Sequence, residues 1–172
     1  MILKFKLSTV TLFFFLMLTG SQVLAQVGAG PYAIKNAQTG LLLRIKDANA
    51  ANGTPLVSYN PVNWKCMTWD LKPVEGNSYQ LRNLFSHKTF QPKQAAAEGV
   101  PMEEQPLVPN DSNQLYEFIP TGKSSYWIRL KGTDLYLTPS DSNGIINGVI
   151  VLAKKNGSAL QQWTIYEQHP TM

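Results

Sequence analysis

Two aromatic residues and several short polar side chains lie close together between positions 47 and 64. Asp47 comes first, Tyr59 is followed at once by Asn60, and Asn63 is followed by Trp64. Carboxylate and amide groups form hydrogen bonds with a polar ligand, and an aromatic ring offers a flat apolar surface beside them. This segment is therefore the first candidate binding site. The structural alternative is that Tyr59 covers the rim of the fold and that the two asparagines only form turns.

A second candidate site lies downstream and uses the same residue types. It contains Asp134, Tyr136 and Asn156. Asp134 is equally suited to capping the turn before a strand, which is the structural alternative for this group. The segment between the two candidates carries Glu103 and Glu104 but no aromatic residue that could support a ligand, so we predict a structural role for it.

Catalytic groups are not assembled at recognisable spacings. His87 and His169 have no nucleophile or metal-ligating partner at motif distance. Glu103 and Glu104 would point to opposite faces of a strand, and we interpret them as part of a solvated loop. Cys66, the only cysteine, follows a lysine that could activate it, but a small packed residue is the favoured interpretation. We expect a protein that is not an enzyme and needs no cofactor or metal.

The first 25 residues have the pattern of a cleaved secretory signal. Lys4 and Lys6 form a positive start, Val10–Leu18 is an apolar run, and the segment ends in the small residue Ala25, which predicts cleavage before Gln26. The apolar run is too short for a membrane anchor, which needs about 20 such residues. We therefore expect an exported protein, whether secreted, periplasmic or held at the cell surface, with no membrane span after cleavage.

Composition limits the remaining function classes. Lysine and arginine number 15 against 11 acidic residues, and two of the lysines belong to the predicted signal, so the rest of the chain is only weakly basic. That balance argues against a nucleic-acid partner. Hydrophobic residues make up 44% of the chain, which excludes a disordered protein. Residues 26–172 are therefore predicted to form a single folded domain of ordinary size.

A threefold internal repeat is the strongest signal in this domain. Tyr32, Tyr79 and Tyr126 stand 47 residues apart, and each begins a short segment of the type Tyr-x-aliphatic-basic. Two alternating segments open each repeat, a glycine turn leads into a third, and a fourth ends near an aromatic residue. The pattern predicts four strands per repeat, about twelve in all, without substantial helix.

Twelve strands in a threefold array must close on themselves to avoid open edges. A β-trefoil does so at this length, and we predict an all-β fold of this kind with repeats at about 31–72, 76–120 and 124–168. The recurring apolar residues should form its shared core: Trp69, Phe118, Trp163, Ile34, Leu81 and Ile128.

The closing segment Gln161-Gln162-Trp163 resembles the ricin B-type lectin domains, whose three subdomains each end in Gln-x-Trp. Met67-Thr68-Trp69 keeps only the tryptophan of that motif, and Tyr116-Glu117-Phe118 keeps only an aromatic residue. Asn52-Gly53-Thr54-Pro55-Leu56-Val57 resembles the family's lead into its third strand. The resemblance spans Tyr32 to Gln168 and implies the ricin-type β-trefoil fold.

The resemblance also implies carbohydrate binding, through an aspartate after the second strand, an aromatic residue in the third and an asparagine before Gln-x-Trp. The carboxylate and amide would hold neighbouring sugar hydroxyls while the ring stacks on the sugar's C–H face. The corresponding residues are Arg44, Tyr59 and Cys66 in the first repeat, Gln91, Gln105 and Leu115 in the second, and Thr138, Ala153 and Leu160 in the third. No repeat is complete, so we expect degenerate sugar sites. The alternative is a β-trefoil that binds a protein partner, as a protease inhibitor or toxin accessory subunit does.

Overall fold

Twelve short β-strands and four single-turn 3-10 helices make up the fold. The computed structural model describes residues 26–171, and the signal predicted over residues 1–25 lies outside them. The strands are β1 Gly30–Asn36, β2 Leu42–Ile45, β3 Leu56–Tyr59, β4 Trp69–Glu75, β5 Ser78–Asn83, β6 Thr89–Pro92, β7 Met102–Gln105, β8 Tyr116–Gly122, β9 Ser125–Leu130, β10 Leu135–Pro139, β11 Ile150–Lys154 and β12 Gln162–Glu167. The 3-10 helices are Lys46–Ala48, Lys65–Met67, Ser112–Gln114 and Ala159–Gln161. The all-β prediction is confirmed.

Six of the strands close a barrel. β1 pairs with β4 and β12, β4 also pairs with β5, β5 with β8, β8 with β9, and β9 with β12. Because each of these strands has two neighbours, the ring has no open edge. Within residues 26–171, no helix is long and apolar enough to cross a bilayer.

The other six strands form three hairpins, β2–β3, β6–β7 and β10–β11. Each hairpin is tied to a neighbouring one by equivalent backbone hydrogen bonds, namely Ser58 N to Gly148 O at 2.9 Å, Glu104 N to Thr54 O at 2.7 Å and Leu152 N to Val100 O at 3.0 Å. A six-stranded barrel with such a triplet of hairpins is a β-trefoil. This confirms the predicted architecture.

The core contains the side chains predicted for it. Each of these six residues is at most 2% exposed and belongs to one continuous apolar cluster: Trp69, Phe118, Trp163, Ile34, Leu81 and Ile128. Since their chain positions are spread over all three repeats, the repeats share this main core.

One buried hydrogen bond recurs in every repeat. An aromatic side chain at the start of a barrel strand donates to the carbonyl oxygen of a residue 26 positions earlier, and the pairs are Trp69 Nε1 to Leu43 at 3.2 Å, Tyr116 Oη to Phe90 at 2.9 Å and Trp163 Nε1 to Leu137 at 3.0 Å. Tyr116, and not Phe118, is therefore the counterpart of the two tryptophans.

This equivalence corrects the predicted position of the closing motif in the second repeat. The motif there is Gln114-Leu115-Tyr116, so the segment Tyr116-Glu117-Phe118 lies two residues too far along the chain. The position before the motif is consequently held by Asn113 instead of Leu115. The two residues are easily confused because both are buried core aromatics. Only Tyr116 has a hydroxyl that can donate the hydrogen bond found in every repeat.

The interpretation of Glu103 and Glu104 as a solvated loop is wrong. Both lie in β7, where pairing with β6 holds them in a strand, and their side chains alternate between a half-buried and a fully buried face. Neither carboxylate oxygen of Glu104 has a hydrogen-bond partner of good geometry among the described residues. Burial raises the pKa of the Glu104 carboxyl above its ordinary 4.5, while the Ser86 hydroxyl and the charge of Lys88 act in the opposite direction.

Removing the hydroxyl of Tyr116 tests the recurring hydrogen bond. Tyr116→Phe keeps the ring but takes the donor from the Phe90 carbonyl, so we expect the free energy of unfolding to fall by about 1–2 kcal/mol. Urea denaturation followed by tryptophan fluorescence measures it. Tyr166→Phe is the matched control because that side chain is 42% exposed. An equal effect of both substitutions would contradict the structural role.

Glu104 should make stability depend on pH. Its pKa is higher in the folded state, so that state binds more protons just above pH 4.5, and the free energy of unfolding should fall as the pH rises through that interval. Glu104→Gln removes this titration. The free energy of unfolding of the variant, relative to that of the wild type, should therefore increase from pH 4.5 to neutrality. Denaturation midpoints at several pH values, with Glu103→Gln as control, measure the effect. Parallel curves for wild type and Glu104→Gln would refute it.

Candidate functional site

An arginine stacks on the aromatic residues of the first candidate site. Arg44 lies in β2 and Tyr59 at the end of β3, and the register of the hairpin makes them diagonal neighbours across the two strands. The guanidinium carbon of Arg44 lies 4.0 Å from the centre of the Tyr59 ring and 5.8 Å from that of Trp64. The two rings are 6.2 Å apart and tilted by 31°. Cation–π attraction holds the three side chains together.

A cavity of about 360 Å³ adjoins this stack. It is open to solvent on one side, and its walls are mostly apolar. Its lining residues include two bases and no acid: Arg44, Ala48, Trp64, Lys65, Cys66 and Phe85. The cavity therefore combines a flat aromatic wall with positive charge.

Packing and backbone hydrogen bonds hold Trp64, which forms the aromatic wall of the cavity, in place. Trp64 packs against a small buried cluster that includes Leu42, Cys66 and Met67. Its carbonyl oxygen accepts hydrogen bonds from Met67 N at 3.0 Å and from Thr68 Oγ1 at 2.9 Å. The 3-10 turn that begins at residue 65 thus holds Trp64 in place before any ligand arrives.

The other predicted residues of the first repeat do not converge on this cavity. Asp47 is exposed, has a positive φ of 54°, and borders a different depression formed by residues 46–55. Asn60 is exposed, and Asn63 donates through Nδ2 to the carbonyl oxygen of His169 at 3.0 Å, beside a separate groove. Of the five predicted residues, the structure brings together only Tyr59 and Trp64.

The candidate residues of the third repeat are arranged as parts of turns and core. Asp134 is exposed just before β10, whereas Tyr136 is only 6% exposed within that strand. The Asn156 side chain accepts a hydrogen bond from Ser158 N at 2.9 Å, as in an Asx turn. Within residues 26–171, no group of three or more His, Cys, Asp or Glu side chains is placed to hold a metal ion.

Sequence reasoning missed a pair of glutamines that fasten loops. Gln161 donates to Lys154 O and accepts from Asn156 N, each at 2.8 Å. Gln114 makes the same two kinds of bond in the second repeat, donating to Pro106 O at 3.0 Å and accepting from Val108 N at 2.8 Å. The exact 47-residue spacing of Gln114 and Gln161 was the signal that could have found the first of them.

The first repeat lacks this clamp, because Met67 occupies the equivalent position. A thioether cannot donate a hydrogen bond to the loop that follows β3. That loop is held by the packing of Trp64 and by hydrogen bonds from Asn63 Nδ2 to His169 O at 3.0 Å and from Gln168 Nε2 to Val62 O at 3.5 Å. The first repeat is therefore built differently from the other two at the place where the cavity lies.

The model of the family described as "Ricin-type beta-trefoil lectin domain-like" matches residues 22–103 and 63–153 of this chain. The chain belongs to this ricin-type family. The predicted resemblance is therefore confirmed. No match was found among curated proteins.

Solved structures show the same ricin-type fold. The designed threefold-symmetric protein ThreeFoil superposes with a TM-score of 0.76 at 16% identity, over 80% of this chain and 99% of its own. The Rhizoctonia solani agglutinin gives 0.75 at 20% identity, over 84% and 99%. The Macrolepiota procera ricin B-like lectin, solved in complex with lactose, gives 0.69 at 17% identity, over 83% and 99%. At these identities the likeness establishes the fold.

Thiol labelling tests whether Trp64 limits access to Cys66 at the cavity of the first repeat. Cys66 is 4% exposed and packs against the cluster that supports Trp64, so the native thiol should react slowly with Ellman's reagent. We expect Trp64→Ala to raise the labelling rate by about tenfold or more, because it opens access to the sulfur. Asn63→Ala is the matched control, since that side chain faces His169. Equal rates in both variants would show that Trp64 does not cover Cys66.

Proposed function

We propose that this protein is an exported, non-catalytic carbohydrate-binding module whose sugar sites are degenerate. The observation that carries the proposal is the Tyr59–Trp64 pair beside an open cavity, at the place in the first repeat where the resemblance expects an aromatic platform. Sugars present an apolar C–H face that stacks on such rings, while their hydroxyls find polar groups at the edge. Membership of a lectin-like family supports the same conclusion.

The affinity of one such site should be low. The cavity is shallow and removes little apolar area from water, and binding must also offset the lost freedom of a flexible sugar chain. A single retained platform gives the module one main contact with a polysaccharide. Several copies on one surface would then strengthen attachment through multivalency.

Several features support a binding role without catalysis. His87 and His169 are both exposed, and His169 lies 3.9 Å from Glu167 at the surface. Cys66 is 4% exposed and belongs to the small apolar cluster against which Trp64 packs. Neither histidine lines the cavity of the first repeat, and its lining includes Cys66 and Lys65 but no histidine or carboxylate that would act as general acid or base.

Cleavage before Gln26 is compatible with the contacts made by the first residues that the structure describes. Val27 is 6% exposed and belongs to the main core, and its carbonyl oxygen accepts a hydrogen bond from the Tyr79 hydroxyl at 3.0 Å. The neighbouring Gln26 donates to Gly76 O at 2.6 Å. Removal of residues 1–25 at the predicted site would leave every one of these contacts in place.

A protein-binding β-trefoil is the second candidate function. The observation that favours it is the adjacent pair Ile145 and Ile146, which are 57% and 46% exposed in the loop between β10 and β11. Exposed neighbouring apolar side chains are typical of contact surfaces. The loop lies in the third repeat, so substitutions distinguish it from the sugar cavity of the first.

A broad glycan and polysaccharide array tests the proposed function. The probe is the chain from Gln26, since residues 26–171 close the barrel by themselves. We expect binding to one coherent class of sugar, and Tyr59→Ala should weaken it about tenfold or more, because the ring that holds Arg44 and Trp64 in place at the cavity is lost. Biolayer interferometry on the best ligand gives the affinities.

Ile145→Ala is the matched control for Tyr59→Ala, because it truncates an exposed apolar side chain in another repeat. It should leave sugar binding unchanged. An array that stays silent at high protein concentration would refute the lectin function and direct attention to the loop with Ile145. Binding that survives Tyr59→Ala would place the sugar elsewhere on the trefoil.

A further inference from the structure

Arg44 is a buried cation without an anion. Its side chain is 7% exposed, and its Nε is buried without a hydrogen-bond partner. Among residues 26–171, no carboxylate lies within 4.0 Å of its guanidinium. Nε is its one buried unpaired nitrogen, and the other two nitrogens reach the solvent of the open cavity. The ring of Tyr59 at 4.0 Å is its main electrostatic contact.

Such an arrangement is costly in a protein that has no use for it. A charge that is mostly buried loses part of its hydration, and the Nε–H donor loses the hydrogen bond that water would otherwise supply. Cation–π contact with Tyr59 returns only part of that loss. A methionine of similar length would fill the same space without this cost. The charge of Arg44 is therefore better explained by a ligand than by the stability of the fold.

The cavity indicates which ligand would supply the missing anion. Arg44 lines it together with Lys65, and no acidic side chain does. A guanidinium offers donors only, in a planar fork that matches the two oxygens of a carboxylate. Trp64 and Phe85 form apolar walls at the same cavity, against which a sugar ring can lie.

We propose that the cavity of the first repeat binds an acidic saccharide, with the anionic group of the sugar on Arg44 and the ring against Trp64. The inference rests on the proposed carbohydrate-binding function and names the ligand class for its main site. A neutral sugar leaves the buried charge uncompensated and finds no acceptor for its hydroxyl protons on Arg44. The arginine at the place of the family's aspartate thus changes the selected sugar from neutral to anionic.

Isothermal titration with matched oligosaccharides tests this selectivity. The probes are trigalacturonate, its carboxyl-reduced neutral counterpart, and a sulfated galactan trisaccharide. We expect the wild type to prefer an acidic probe over the neutral one by about tenfold to a hundredfold, as for a hydrogen bond to a charged group. Preference for the first or the third probe identifies the anion as carboxylate or sulfate.

Variants separate a site from general attraction of a polyanion. Arg44→Met should abolish the preference for the acidic probe, whereas Lys72→Met removes an equal charge from an exposed position on β4 and should preserve it. Thermal unfolding of Arg44→Met should occur at or above the wild-type temperature, because an uncompensated buried charge has been removed. Arg44→Lys keeps the charge without the fork and should retain only part of the preference.

The outcomes distinguish this inference from the proposed function. If the wild type binds the neutral probe as tightly as the acidic ones, the acidic-sugar inference is overturned and the lectin function stands. Equal acidic binding by wild type and Arg44→Met overturns it as well. If Arg44→Met fails to fold, Arg44 is structural, and the ligand comparison on the wild type still decides the selectivity. If no saccharide of any class binds, both proposals fail together.

Discussion

The trefoil depends on one buried hydrogen bond repeated three times, from an aromatic side chain at the start of a barrel strand to a carbonyl in the preceding hairpin. Trp69, Tyr116 and Trp163 each donate across 26 residues. Each bond joins the barrel to the hairpin cap and, because the donor is a large buried ring, it also fixes the core around it. The 3-10 turns that immediately precede these rings hold the loops where ligands could be bound. The symmetry of the cap therefore determines where each repeat presents its surface.

The candidate site lies where the first repeat departs from that symmetry. In the other two repeats, Gln114 and Gln161 clamp the loop before the closing aromatic residue through paired hydrogen bonds. Met67 cannot do this, and the loop is held by Trp64 packed on a small apolar cluster and by hydrogen bonds with Gln168 and His169. Arg44 stacks on Tyr59 beside it. The missing glutamine and the added aromatic packing thus occur together, next to an open cavity with positive charge and no acidic side chain.

The fold could be predicted from the sequence because the same pattern of apolar residues recurs three times at a spacing of 47 residues. Ile34, Leu81 and Ile128, for example, hold equivalent positions and are all fully buried. The site was less predictable. Tyr116 and Phe118 are both core aromatics, and the hydrogen bond to Phe90 agrees with the 47-residue spacing from Trp69 and Trp163 in showing that Tyr116 closes the repeat. Arg44 is visible in the sequence as a lost aspartate, but its stacking on Tyr59 arises from the register of a hairpin. The burial of Glu104 likewise depends on pairing between β6 and β7, which alternation alone could not reveal.

The pairing of the first barrel strand with the last has a consequence for how this chain acquires its structure. β1 lies between β4 and β12, with Ile34 opposite Ile165. The ring therefore cannot close until the final strand has been synthesised, and the many contacts between distant segments make folding slow compared with a helical domain of this size. During that interval the barrel is not closed, and the chain is incompletely folded. Export, as proposed above, requires an extended chain, so slow closure of the ring would favour it.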